Sequence, residues 1–212
     1  MTKLQVALDC DLQSALKILT RVHPYIDIVE IGTPMIIREG MNAVRQVRKE
    51  YPNLTLLADL KIMDAGEEEA SIAFEAGADI VTVLGVTNEA TMAGAVQGAS
   101  KWQGQIMVDM MQVNHPAELG KQFIQMGCDI LCVHTAYDLQ SSHDSPYYEL
   151  EQLRQHLRSA KLAIAGGVDN TKLDEILQYR PEIIIVGGAI TRSDNHTQSA
   201  QQIYKRLHNH AD

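Results

Sequence analysis

The sequence predicts an α/β protein, a (β/α)8 TIM barrel formed as a single domain over residues 1–212. Three observations predict it. Short β-branched runs alternate with helical patterns about eight times along the chain, and strict alternation of this kind gives an all-parallel sheet. Most of the runs are nearly continuously apolar, as strands buried on both faces must be. Ionisable residues recur at the C-terminal ends of these runs, and in a closed barrel those ends form one rim. An open doubly wound sheet is the competing architecture. Its nucleotide signature is missing, because the first strand ends in ALDCD with no G-x-G-x-x-G turn.

The strands are expected, in order, at LQVALD (4–9), IDIVEIG (26–32), LTLLADL (54–60) and DIVTVL (79–84). QIMVDM (105–110), DILCVH (129–134), KLAIAG (161–166) and EIIIVG (182–187) complete the eight. Between the second and third, Ile36–Tyr51 reads as one amphipathic helix with Ile37, Met41, Val44 and Val47 on a single stripe. Tyr147–Arg158 and Thr197–Leu207 read similarly. The stretches EAGAD and QMGCD end helices with glycine, restart strands, and form a weak internal echo.

The composition is that of an ordinary globular chain, 45% hydrophobic and 21% charged. Eighteen basic against 27 acidic residues give a net charge of −9. That balance argues against broad nucleic-acid binding or an anionic membrane surface. It leaves room for a phosphorylated substrate, which backbone N–H groups can hold locally. The opening MTKLQVALD enters a strand pattern without a signal-peptide core, and no apolar run is long enough to span a bilayer. Three cysteines fit a reducing, cytoplasmic setting better than a disulfide framework.

The strand ends carry the chemistry. The first ends at Asp9, the second in Glu30-Ile31-Gly32, and the third carries Asp59 with Lys61 just beyond it. The fifth carries Asp109 and the sixth ends at His134. Glu30 and Asp59 have apolar neighbours, so each carboxylate needs a cation or a partner. Two of them aimed at one rim repel unless a metal or Lys61 neutralises them. Their hard oxygens, completed by substrate and water, suit Mg2+, and no His/Cys cluster has zinc spacing. Asp59 and Lys61 stand two apart and so point to one side, with Leu60 to the other. Asp64 follows on the loop, where it either bonds Lys61 or reaches into another site. His134 is the candidate acid/base group. The remaining histidines, His23, His115, His143, His156, His196, His208 and His210, read as ordinary helix, loop or terminal residues. Asp11, Asp79, Asp129 and Asp169 read as caps or turn residues, and either Asp9 or Asp11 caps the first helix. Cys10 adjoins the site, while Cys128 and Cys132 read as packing groups. Gly166-Gly167 and Gly187-Gly188 follow strands seven and eight directly, where barrels hold phosphate. Arg192 either adds charge there or is solvated.

With these residues in view, LQVALD, VEIGTP, DLKIMDAG, TVLG, VHTAYDLQ, AIAGG and IVGGAI resemble the 3-hexulose-6-phosphate synthases. These belong to the orotidine-monophosphate-decarboxylase-like group of barrels, and the resemblance runs through all eight strands. It implies an aldolase that condenses formaldehyde with D-ribulose 5-phosphate through an enediolate, reversibly, with Mg2+ or Mn2+ and no organic cofactor. It implies Glu30 and Asp59 as metal ligands, Asp9 and Lys61 against the sugar phosphate or its enediolate, and His134 as acid/base. Asp109 joins the substrate site, and the glycine pairs bind phosphate. Asp64 would reach a neighbouring subunit's site, which implies a homodimer.

The alternative is the sister group of 3-keto-L-gulonate-6-phosphate decarboxylases, which share the D-x-K-x-x-D core. That group typically has arginines after the strand-six histidine, where this chain has Thr135-Ala136-Tyr137-Asp138. It also tends to have Glu in place of Asp109. Orotidine-monophosphate decarboxylase itself usually continues the core as I-x-N/T, and here Ala65-Gly66-Glu67 follows. A sugar-phosphate-binding sensor on the same barrel is the non-enzymatic reading. No basic or DNA-binding segment supports it.

Overall fold

The structure, a computed structural model, describes residues 1–140 and 147–209. His143 and His210 lie outside the described residues. Eight parallel strands close into a barrel in the order β1 to β8, each hydrogen-bonded to its sequence neighbours and β1 to β8. They are β1 Lys3–Leu8, β2 Ile28–Ile31, β3 Thr55–Ile62, β4 Ile80–Leu84, β5 Gln105–Asp109, β6 Ile130–His134, β7 Lys161–Ala165 and β8 Ile183–Val186. Outside them lie α1 Leu12–Val22, α2 Thr33–Glu39, α3 Asn42–Glu50, α4 Gly66–Glu75 and α5 Glu89–Trp102. The circuit is completed by α6 Pro116–Met126, α7 Tyr147–His156, α8 Leu173–Leu177, α9 Gly188–Thr191 and α10 His196–Asn209.

The strands bury both faces, which is why they read as apolar runs. One face packs under the helices through residues such as Leu4, Val29, Leu56, Val81, Ile106, Leu131 and Ile184. The other fills the barrel with Ala7, Ile28, Leu57, Ile80, Met107, Ile130, Cys132, Ala163 and Ile183. Period-two alternation then decides where chemistry appears. Two residues above Ile28 comes Glu30, above Leu57 comes Asp59, above Ile80 comes Thr82, and above Met107 comes Asp109. Two above Cys132 comes His134. In these five strands the inward slots are apolar below and polar at the C-terminal mouth.

The expected helix over Ile36–Tyr51 is two helices. Pro34 lies in the first turn of α2, and Gly40, at φ 58°, stops that helix before α3 begins. The break turns Ile37 out to 79% exposure and lets Met35 pack instead. The third strand also runs past its expected end. Ala58 pairs with Val81 but Ile62 pairs with Val83, so β3 bulges by two residues, with Lys61 left-handed at φ 50°.

Asp11 caps α1, accepting from Ser14 N at 3.0 Å, and Asp169 closes a turn by accepting from Thr171 N at 2.8 Å. Asp79 and Asp129 do something else. Each precedes a strand and accepts the N–H of the second residue of the strand before, Leu56 N at 2.8 Å and Ile106 N at 2.9 Å. Asp27 ties Leu4 N and Glu182 ties Leu162 N in the same way. A carboxylate therefore precedes every even strand and fastens the odd strand before it, at the N-terminal end of the barrel. The echo between EAGAD and QMGCD is one half of this repeat. Gly77 and Gly127 both turn left-handed, and Ala78 N and Cys128 N reach back to Ala73 O and Phe123 O.

Candidate active site

Five inward side chains, Glu30, Asp59, Thr82, Asp109 and His134, and one bulged lysine meet at the barrel mouth. Asp59 is 6% exposed and is braced on both oxygens. Its Oδ1 accepts from Thr82 Oγ1 at 2.7 Å, and its Oδ2 lies 2.8 Å from Thr33 Oγ1 and in contact with Lys61 Nζ. Lys61 gains that position from the β3 bulge. Its own N–H donates to Thr82 Oγ1 at 2.9 Å, so one hydroxyl fixes both the Lys61 backbone and the Asp59 carboxylate.

The chain of contacts continues across the mouth. Lys61 Nζ lies 3.7 Å from Asp109 Oδ2, which also meets His134 Nδ1 at 2.8 Å. Met111 N donates to the other Asp109 oxygen at 3.0 Å. Burial alone would push the Asp109 carboxyl up, but the hydrogen bond and charge of His134, then Lys61, hold it below the usual range. Burial would likewise lower Lys61, and Asp59 and Asp109 outweigh it, so the ammonium is held above its ordinary value.

Glu30 lies beside this chain on β2. Its Oε2 accepts from Gln5 Nε2 at 2.6 Å. Burial first, and the Asp59 charge second, push its carboxyl up to about 8. Asp9 stands just beyond β1, and its carboxyl is raised by burial and then by Asp59. Gly32 leaves room for it, since a Cβ there would fall 2.0 Å from Asp9 Oδ1. Burial and the Asp59 charge thus raise both the Glu30 and the Asp9 carboxyl at this mouth.

The other expected residues fall into two places. Gly166 and Gly167 follow β7 at φ 93° and 67°, and a Cβ on Gly166 would meet Thr135 O at 2.3 Å. Gly187 caps the one-turn α9, which begins at Gly188. Arg192 folds back over Gly188 and donates to Tyr137 OH at 3.2 Å, joining the loops after β6 and β8. Asp64 lies outside the cluster. It is exposed, accepts from Ala65 N at 2.8 Å, and makes no ion pair with Lys61 among the described residues. A concavity off the axis, between the loops after β4 and β5, is lined by Gly85, Val86, Gln112, Val113 and Phe123 and contains none of these groups.

Gln5, Thr33 and Thr82 are the members that motif reading passes over. Gln5 and Thr82 carry a signal all the same, a polar residue in an inward slot of an apolar strand. Thr33 carries none, because its role depends on how α2 leaves β2.

A sequence model described as "Orotidine 5'-phosphate decarboxylase / HUMPS family" matches residues 2–203. The chain is 44% identical over 202 residues to "3-hexulose-6-phosphate synthase" of Bacillus subtilis (strain 168), covering 95% of this chain and 96% of that one. Its structure is similar to that of 3-hexulose-6-phosphate synthase from Salmonella typhimurium, with a TM-score of 0.96, 37% identity, and coverage of 99% and 100% of the two chains. It is also similar to 3-keto-L-gulonate-6-phosphate decarboxylase from Vibrio cholerae O1 biovar El Tor, with a TM-score of 0.86, 26% identity, and 98% of each chain covered.

Proposed function

The chain belongs to the orotidine 5'-phosphate decarboxylase / HUMPS family, and from that premise we propose that it is a 3-hexulose-6-phosphate synthase. It condenses formaldehyde with D-ribulose 5-phosphate, reversibly. The observation that carries the chemistry is the contact chain His134–Asp109–Lys61–Asp59. With Nδ1–H donated to Asp109, the imidazole presents the Nε2 lone pair. His134 takes the C1 proton beside the C2 ketone, and Lys61 offers a fixed positive charge to the enediolate oxygens. C1 then bonds to the formaldehyde carbon. The proton on His134 passes to the former aldehyde oxygen, which gives the 3-hexulose 6-phosphate with all atoms accounted for.

The mouth fits a divalent cation. Glu30 and Asp59 would hold Mg2+ or Mn2+, which supplies Lewis-acid stabilisation of the developing oxyanion. Among the described residues no group of three or more His, Cys, Asp or Glu is arranged to hold a metal. Two carboxylates with substrate and water completing the shell are what Mg2+ ordinarily accepts. Asp9 faces the sugar. Gly166, Gly167, Gly187 and Gly188 present backbone to the phosphate, with α9 as the short extra helix of that site. Asp64, exposed and turned from its own Lys61, serves the neighbouring subunit of a homodimer. No helix among the described residues is long and apolar enough to cross a membrane. The three free cysteines support a cytoplasmic setting.

Purified protein should consume formaldehyde with ribulose 5-phosphate only when Mg2+ or Mn2+ is present. It should release little CO2 from 3-keto-L-gulonate 6-phosphate. The reverse pattern would assign it to the sister activity. Binding of sugar phosphate without turnover of either substrate would make it a sensor. A His134→Gln variant with full activity would refute the acid/base assignment.

A further inference from the structure

Gln5 lies low in β1 with its side chain inside the barrel, 0% exposed. Its register partners are Ile28 on β2 and Ile185 on β8, both part of the barrel's apolar filling. An amide in such surroundings is unfavourable unless both its ends are satisfied. Only one is. Nε2 donates to Glu30 Oε2 at 2.6 Å, whereas Oε1 is the one buried side-chain polar atom without a hydrogen-bond partner among the described residues. A Met or Leu would pack there and leave no amide oxygen unpaired, but it would take away the hydrogen bond of Glu30.

The position explains what the amide does. Ala7 sits level with Glu30 on β1 and is too short to touch a carboxylate. Gln5, two residues lower, is long enough to reach diagonally past it. Asp59 has Thr33, Thr82 and Lys61 to brace it, but the hydrogen bond that Glu30 makes among the described residues is to Gln5. We propose that Gln5 is a positioning residue. Its amide pins one oxygen of Glu30, so that the other is presented to a divalent cation shared with Asp59. This rests on the reading of Glu30 and Asp59 as the metal pair. A ligand so held needs no reorganisation when the cation arrives.

Gln5→Met keeps the length and removes the donor, and Gln5→Leu does so with a different shape. Mn2+ binding to each full-length protein is measured from the free-ion electron paramagnetic resonance signal, together with the melting temperature without metal. Affinity for Mn2+ is expected to fall by about 10–100-fold, while each variant still melts cooperatively without metal. Wild-type affinity in either folded variant would overturn the proposal. So would failure of both variants to fold, because the amide would then serve the core. If the wild-type protein bound no Mn2+, the metal reading itself would fail, and the proposal with it.

Discussion

Asp109 decides what His134 can do. The imidazole has two nitrogens, and a carboxylate 2.8 Å from Nδ1 fixes which of them keeps its proton. The same Asp109 oxygen attracts Lys61, so one residue sets both the tautomer of the base and the place of the ammonium. Asp109→Asn should therefore lower kcat by about 10–100-fold with a much smaller change in KM, read in a formaldehyde-consumption assay. Stability follows a definite sign. The Asp109 carboxyl is held below its ordinary value of 3.8, so its contribution is present above that pH and is lost as the pH falls through the depressed value. In urea unfolding, the advantage of the wild type over Asp109→Asn should be constant near neutrality and should shrink below about pH 4. An advantage independent of pH would mean that the pairing is not what holds Asp109 ionised.

The elements divide the barrel into a working end and a holding end. At the N-terminal end, Arg48 of α3 donates to Gly77 O at 2.8 Å and to Pro52 O and Leu54 O, both at 2.9 Å, while pairing with Asp79 at 2.6 Å. Arg154 of α7 does the same for the opposite half. It donates to Tyr179 O, Ala160 O and Arg180 O and pairs with Glu182 at 3.0 Å. Each arginine collects loop carbonyls at a strand start. Arg48→Met and Arg154→Met should each cost about 2 kcal/mol, lowering the melting temperature by about 4–8 °C. Because this end lies opposite the mouth where barrel chemistry takes place, kcat at 25 °C should be unchanged. A lost kcat with an unaltered melting temperature would contradict the division. This division also explains what was legible beforehand. Strand order, closure and the polar mouth follow from period two and strict alternation, and both are written locally in each run. The tie made by Asp79 to Leu56 was not legible, because it joins residues far apart in sequence and looks like an ordinary cap. The β3 bulge escaped for a related reason. Asp59 and Lys61 already share a side in a regular strand, so nothing in DLKIMDAG announces that Lys61 turns left-handed to reach Asp59.

At the scale of the whole molecule, Asp64 stands outside the cluster of its own chain. The D-x-K-x-x-D run places Asp64 three residues beyond Lys61, yet Ala65 turns left-handed at φ 49° and α4 carries the chain away. Asp64 bonds only its neighbour's amide among the described residues, next to a half-exposed Met63. In the proposed homodimer, an acid in that position would serve a second copy related by a two-fold axis, whose own Asp64 would return the contact. Sedimentation of the purified protein should show a dimer, but a dimer alone would not place Asp64. Complementation does. Asp64→Ala and Lys61→Ala should each be nearly inactive as homodimers. Dissociated, mixed in equal amounts and reassembled, half of the dimers carry one subunit of each kind. In those hybrids, the Asp64→Ala subunit keeps its own Lys61 and receives Asp64 from its partner, so one of the two sites is whole. Activity should recover to about one quarter of the wild-type value. If Asp64 acted within its own subunit, neither site of the hybrid would be whole, and mixing would restore nothing.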